Sequence, residues 1–315
     1  MTDDTAVLAE GLTRSFGGFT AVDRLDLRIA KGEVVGFIGP NGAGKSTTLR
    51  MLCGLLTPTS GRAVVAGFDV GRQPEAVREH IGYMSQRFSL YGDLTVRENL
   101  HFFGGLYRVP RSEFAARIQA AVAMAGLEGR EEALVRTLAG GWKQRLALGC
   151  AILHRPPVLF LDEPTSGVEP EARRHFWDLI HNLAGGGVTI LVSTHYMDEA
   201  EYCNRIALID AGRMVAIGSP GELRARELAG KLYEFDCTAP GAALIALQQA
   251  PGVIDAVIFG DRLHVMIAPR GSAAEVSALL ERQGLRTGLP RLIAPSLEDV
   301  FVQLVSRPRA APIAT

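Results

Sequence analysis

Apolar residues recur along the first part of the chain in rhythms that predict short strands alternating with helices. Val7-Leu8-Ala9 and the stretch Leu25 to Ile29 read as strands, the second with the period of two expected when one face is buried. Val34-Val35-Gly36-Phe37-Ile38 is nearly continuous in apolar residues, as a strand buried on both faces should be. Val158 to Leu161, Val188 to Val192 and Ile206 to Ile209 repeat that character, with helix-like stretches between them. Parallel strands need helical crossovers, so this alternation predicts a mostly parallel α/β sheet, preceded by short N-terminal strands with turns.

Residues 87 to 150 break the rhythm. Thr95-x-x-Glu98 is a capping box that opens a helix through Tyr107. Pro110 interrupts the pattern, and a second helix, about Ser112 to Ala125, ends at Gly126 as a C-cap. The segment reads as a helical subdomain inserted into a main domain over 5–225. After Pro220 the pattern changes again. Lys231 to Cys237, Ile254 to Phe259 and Arg262 to Ile267 read as strands, with helices at Ala242 to Gln249 and Ser272 to Gln283. This β-α-β-β-α order predicts a small C-terminal α/β domain over 230–306. Its final stretch begins at Ser296 as N-cap, with Glu298 and Asp299 in the first turn. The Pro- and Ala-rich residues 307–315 are expected to be disordered.

Composition changes this picture little. The chain is 47% hydrophobic and 21% charged, with net charge −1, so nothing in the balance points to nucleic acid. Met1-Thr2-Asp3-Asp4 carries acid where a secretory signal would carry Lys or Arg, and no apolar run reaches the roughly 20 residues a bilayer demands. The expectation is a soluble chain in the cytoplasm. Four cysteines stand far apart with no C-x-x-C pair, which suits core thiols in a reducing compartment.

The chemistry begins after the first buried strand. Gly39-Pro40-Asn41-Gly42-Ala43-Gly44-Lys45-Ser46 fits G-x-x-x-x-G-K-[ST], and the helix-like Thr47 to Cys53 follows. Glycines let backbone N–H groups turn toward phosphate oxygens, and the N–H groups of the opening helix turn, Thr47 included, attract anions. Lys45 places a charge on the β- and γ-phosphates, and the Ser46 hydroxyl can ligate Mg²⁺. Farther on, Val158 to Leu161 runs into Asp162-Glu163. Acids at the end of a buried strand are costly unless used. Asp162 is placed to hold Mg²⁺ and Glu163 to activate the attacking water. His195 and Gln86 each follow an apolar strand and are weak signals alone.

Together these residues resemble the nucleotide-binding subunits of ABC transporters. Leu138-Ala139-Gly140-Gly141-Trp142-Lys143-Gln144-Arg145 is similar to the family signature L-S-G-G-Q-x-Q-R. Asp162 to Pro170 resembles the acid-pair strand and D-loop, Gln86 falls at the Q-loop, and His195 at the switch histidine. The resemblance covers about residues 5 to 225. It implies an ABC-type P-loop ATPase core that binds ATP and Mg²⁺, with Lys45, Gln86, Glu163 and His195 catalytic. The metal would sit on Ser46, Gln86 and Asp162, and Phe16 would stack on adenine. Two subunits, identical or homologous, would pack head to tail, so that Ala139, Gly140, Gly141 and Glu169 complete the partner's ATP site. An integral-membrane permease would dock on the helical subdomain and on Arg87 to Leu94, at the cytoplasmic face of the membrane.

The signature and Pro295 to Phe301 resemble a subgroup, ATPases that export drugs and other amphiphiles through a separate permease. An importer ATPase is the alternative, although importer tails are often β-rich. A soluble ABC ATPase of DNA or ribosomes is a further one. The interval from Lys45 to Leu138 is short for a coiled coil, only one ATPase core is present, and no basic patch is visible. Two departures from the family pattern matter: Ala139 replaces the signature serine, and Glu169 replaces the D-loop aspartate; Trp142 in place of glutamine is a third difference and resembles a subgroup habit.

Overall fold

The computed structural model describes residues 4–86, 89–225 and 229–306, and the chain divides into two units, Met1–Pro220 and Gly221–Thr315. The division falls a few residues before the boundary at 225 expected from composition. The tail 307–315 lies outside the described residues, as do Arg87 and Phe88 of the expected permease-facing stretch.

The first unit opens with a long hairpin. Strands β1 (Thr5–Phe16) and β2 (Phe19–Ala30) are both longer than the apolar pattern alone announces, because register shifts in β1 blur its alternation. β3 (Val34–Ile38) is buried at every position and leads through the Gly-rich loop into α1 (Lys45–Leu52). β4 (Ser60–Val65) and β5 (Phe68–Asp69) complete an antiparallel sheet of order β2-β1-β4-β5. α2 (Pro74–Glu79) then leads to β6 (Ile81–Met84).

The inserted helices come next. α3 (Val96–Leu106) begins on the expected capping box: Thr95 Oγ1 accepts from Glu98 N at 3.1 Å, and Thr95 N donates back to Glu98 Oε2 at 2.8 Å. α4 (Arg111–Ala125) stops at Gly126, which is left-handed at φ 64°. α5 (Gly140–Ile152) packs against both around a separate core that includes Leu100, Val122 and Leu146. The chain then returns to the sheet through β7 (Val158–Asp162), α6 (Pro170–Gly185), β8 (Thr189–Thr194), β9 (Arg205–Asp210) and β10 (Arg213–Gly218). The second sheet has the order β10-β9-β3-β8-β7-β6 and is parallel except for β10. A short helix, α7 (Pro220–Arg224), lies at the junction between the units.

In the second unit, β11 (Lys231–Asp236), α8 (Pro240–Leu247), β12 (Val253–Phe259), β13 (Arg262–Ile267) and α9 (Ala273–Arg282) follow the predicted order. β14 (Arg291–Leu292) adds a short edge, giving the order β12-β13-β11-β14. α10 (Leu297–Ser306) closes the chain. Ser296 caps it, and Asp299, bonded to Ser296 N at 2.8 Å, also binds the buried His264 Nδ1 at 2.8 Å. Phe235, Leu263, Val265 and Leu280 fill this unit's own core.

Candidate active site

Four parallel strands end side by side, and each delivers part of the site: β3 the Gly-rich loop, β8 His195, β7 the acid pair, β6 Gln86. In open α/β sheets this carboxyl edge is where ligands bind. Gly44 caps α1 at φ 102°, and a Cβ there would come 2.5 Å from Ala21 O, so only glycine lets the loop pass. Lys45 is 4% exposed; its Nζ donates to Gly39 O at 2.8 Å and to Pro40 O at 3.2 Å. The loop carbonyls thus aim the ammonium group, which lies 3.3 Å from Glu163 Oε1.

Glu163 is where these groups converge. Its Oε2 accepts from Gln86 Nε2 at 3.1 Å and stands 3.3 Å from His195 Nδ1. The residue is buried and left-handed at φ 47°, a backbone state that costs a non-glycine residue about 1–3 kcal/mol and clusters at functional sites. Asp162, also buried, accepts from Ser46 Oγ at 3.0 Å and from Ser193 Oγ at 2.7 Å, both on Oδ1. Burial and then the Asp162 charge push the Tyr83 hydroxyl up to about 12 and the Cys53 thiol well above its ordinary value. Beside the loop opens a cleft of about 400 Å³, lined by Asn41, Gly42, Gly44, Lys45, Ser46 and Thr47, together with Gln86, Glu163, Phe19 and Ala21. Ala43 is buried beneath the loop.

The remaining predicted residues lie elsewhere. Phe16 is 47% exposed at the end of the β1–β2 hairpin, with the Arg14 guanidinium 4.5 Å from its ring centroid. Its cross-strand partner, Phe19, lines the cleft instead. Ala139 is the N-cap of α5 and Glu169 the N-cap of α6; both are exposed, and neither side chain caps its helix. Gly140 and Gly141 form the first turn of α5, and none of these four residues lines the cleft.

Sequence reasoning missed several supports. Ser193 braces the acid pair, and Gln144 Nε2 donates to Pro164 O, tying α5 to the loop after the acids. Arg173 lies over the Tyr196 ring at 4.2 Å and reaches Glu199 at 3.6 Å, fastening α6 to the segment after His195. The serine at the end of the apolar run Ile190 to Val192 was visible in the sequence, but not that its strand lies beside the acids; the Arg173 contacts had no signal.

A family model described as ABC transporter matches residues 22–166, and one described as an AAA domain matches residues 143–197. The probable multidrug ABC transporter ATP-binding protein YbhF of Escherichia coli is 48% identical over 71% of this chain, which spans only 39% of that protein. The daunorubicin resistance ATP-binding protein DrrA3 of Streptomyces coeruleorubidus is 38% identical over 97% of this chain and 98% of its own length. Among solved structures, the dimeric post-hydrolysis state of the ATP-binding cassette MJ0796, bound to ADP and Pi, superimposes with a TM-score of 0.62 at 27% identity, covering 68% of this chain and 98% of that one. A phosphate loop on a parallel sheet, an acid pair two strands away and near full-length relatives agree, and the chain belongs to the ATP-binding subunits of ABC transporters.

Proposed function

We propose that this subunit hydrolyses MgATP at the Glu163 cleft, as one half of a head-to-tail dimer. Dimer closure would drive a separate membrane permease exporting drugs or other amphiphiles. The observation that carries the reading is the convergence of Lys45, Gln86 and His195, from three different strand ends, within 3.3 Å of one buried carboxylate.

Phosphates laid along Gly39 to Thr47 meet backbone N–H groups and draw Lys45 Nζ toward the β- and γ-oxygens. Glu163 then takes a proton from water as the water oxygen attacks the γ-phosphorus. The bond to the β–γ bridging oxygen breaks, leaving ADP and phosphate. Gln86 and His195, facing Oε2, hold the carboxylate in line. Ser46 and Asp162 converge at 3.0 Å, with Gln86 close by. That donor set suits Mg²⁺, which keeps waters and binds through one or two carboxylates plus substrate phosphates. The ion, when bound, neutralises charge developing on the phosphate oxygens.

Two helix N-termini support the dimer. Ala139 and Gly140 at α5 and Glu169 at α6 are exposed and line no part of the chain's own cleft, so they are free to serve a partner's ATP. No helix among the described residues is long and apolar enough to cross a membrane, and the reading assigns the membrane path to the permease. The helical subdomain offers a docking patch of exposed Tyr91, Phe102 and Leu106. Relatives named for multidrug and daunorubicin resistance favour export.

The test is Glu163→Gln beside Lys45→Ala. The first should keep ATP binding, lose about 10²–10⁴ in turnover and accumulate an ATP-bound dimer on gel filtration. The second should lose tight ATP binding. Near-native hydrolysis by Glu163→Gln would remove Glu163 as the base. ATP-dependent efflux from vesicles carrying the co-purified permease tests the direction of transport.

A further inference from the structure

Ser193 lies on β8, the strand between β3 and β7, paired in register with Phe37 on one side and Asp162 on the other. It is fully buried, at the end of the apolar run Ile190-Leu191-Val192. A hydroxyl in such a place is costly unless bonded. Here it is bonded twice: Oγ donates to Asp162 Oδ1 at 2.7 Å and accepts from Glu163 N at 3.0 Å. The same Glu163 N–H lies 3.0 Å from Ser193 O. One residue therefore holds the carboxylate of the first acid and the backbone of the second.

The second contact falls where the chain is strained. Glu163 is left-handed without being glycine, and such a residue keeps its conformation only when its surroundings over-determine it. Both Ser193 acceptors sit on the N–H of that residue. Two residues farther along the same strand end is His195, which faces Glu163 Oε2. We propose that Ser193 is a positioning residue for hydrolysis: its hydroxyl sets the orientation of Asp162 and the left-handed turn that aims Glu163. The inference rests on the assignment of Asp162 and Glu163 above. Ser46 also donates to Asp162 Oδ1, but Ser46 stands on the cleft, where phosphate and metal compete for it. Ser193 is sealed away from both, so its grip on Asp162 persists through the cycle.

A small residue merely needed for packing would look similar, so the test compares two pairs of equal shape. Ser193→Ala against the native chain, and Ser193→Val against Ser193→Thr, each remove a hydroxyl at nearly constant volume. In each pair kcat should fall about 10- to 100-fold with the hydroxyl, equivalent to about 1.4–2.7 kcal/mol at 1.36 kcal/mol per decade. KM and the dissociation constant for ATP, read by equilibrium binding, should stay within about threefold, because the phosphate loop is untouched. Native kcat in Ser193→Ala, or equal rates in Ser193→Thr and Ser193→Val, would overturn the proposal, even with a lowered melting temperature. If one pair fails to fold, the other decides. Glu163→Gln measured in parallel separates the two readings: if it is active, the base assignment fails; if it is inactive while Ser193→Ala is native, only the role of Ser193 fails.

Discussion

Replacing Ala139 with serine should both stabilise the protein and speed its ATPase, through effects that can be read apart. Ala139 already has N-cap geometry, φ −64° and ψ 156°, and its carbonyl accepts from Trp142 N and Lys143 N at 3.1 Å each. What it lacks is a side-chain acceptor for the orphan N–H groups of the first turn. Serine at an N-cap exceeds alanine by about 0.5–2 kcal/mol. The position is exposed, so nothing must move to admit the hydroxyl. That gain belongs to the free subunit and should raise its melting temperature by about 2–4 °C per kcal/mol for a unit of this size. A second gain appears only if the α5 N-terminus faces a partner's γ-phosphate. A hydroxyl bond to a charged group is worth about 1.5–3 kcal/mol, or roughly 10- to 150-fold in rate if felt wholly in the transition state. Backbone N–H groups at Gly140 and Gly141 bind the same oxygens and bring the expected gain toward the lower end. The assay is kcat at saturating ATP on the purified dimer, beside melting without nucleotide. A higher melting temperature with an unchanged or lower kcat would refute the idea that the missing hydroxyl limits catalysis.

Phe16→Ala should weaken ATP binding by about 5- to 150-fold, the worth of a base–aromatic stack of ~1–3 kcal/mol. Titration of both variants checks this, and a loss confined to Phe19→Ala would move the adenine platform to Phe19, the ring that lines the cleft. A chain ending at Arg224 should fold and bind ATP, because the first unit has its own core; a folded but non-binding truncation would contradict that. Acid should destabilise the protein through His154, whose ring stacks on Tyr107 at 4.1 Å and whose burial pushes its pKa below the ordinary 6.5. The unfolded chain binds that proton more readily, so stability falls as pH drops below 6.5. The slope between pH 7 and pH 5, from denaturant melts, should flatten in His154→Gln.

The strands that read most clearly from sequence are those buried on both faces. β3 spans the predicted Val34 to Ile38, and β7 extends its predicted run only to Asp162, because burial leaves an apolar run that polar neighbours bound sharply. Capping chemistry was equally local: Thr95, Glu98 and Gly126 do in the structure what their spacing announced. The hairpin β1–β2, β4, β5 and β10 were blurred or missed, since each pairs antiparallel with at most some of its positions buried, and β1 shifts register several times. The site divided in the same way. Its phosphate loop and acid pair are contiguous in sequence, so they could be read. That Glu163 collects Lys45, Gln86 and His195, that Ser193 braces it and that Phe19 lines the cleft depend on strand order, which no local pattern encodes.

The two departures from the family pattern fall on one side of that division. Lys45, Ser46, Asp162, Glu163 and Ser193 hold one another through hydrogen bonds and ion pairs in a largely buried network. Changing any of them leaves a buried polar group unpaired, which costs about 1–3 kcal/mol before chemistry is considered. Ala139 and Glu169 stand exposed at helix N-caps where neither side chain bonds its own helix. Folding alone would favour a capping serine over alanine at 139, so whatever selects alanine there acts through the surface it meets. If that surface is an identical subunit, both ATP sites run without the serine hydroxyl and both respond to Ala139→Ser. If it is a homologous subunit that carries serine, the site on this chain receives a hydroxyl while the partner's site does not. Ala139→Ser would then speed only the slower site, leaving a biphasic single-turnover time course in the native pair that becomes single-exponential in the variant.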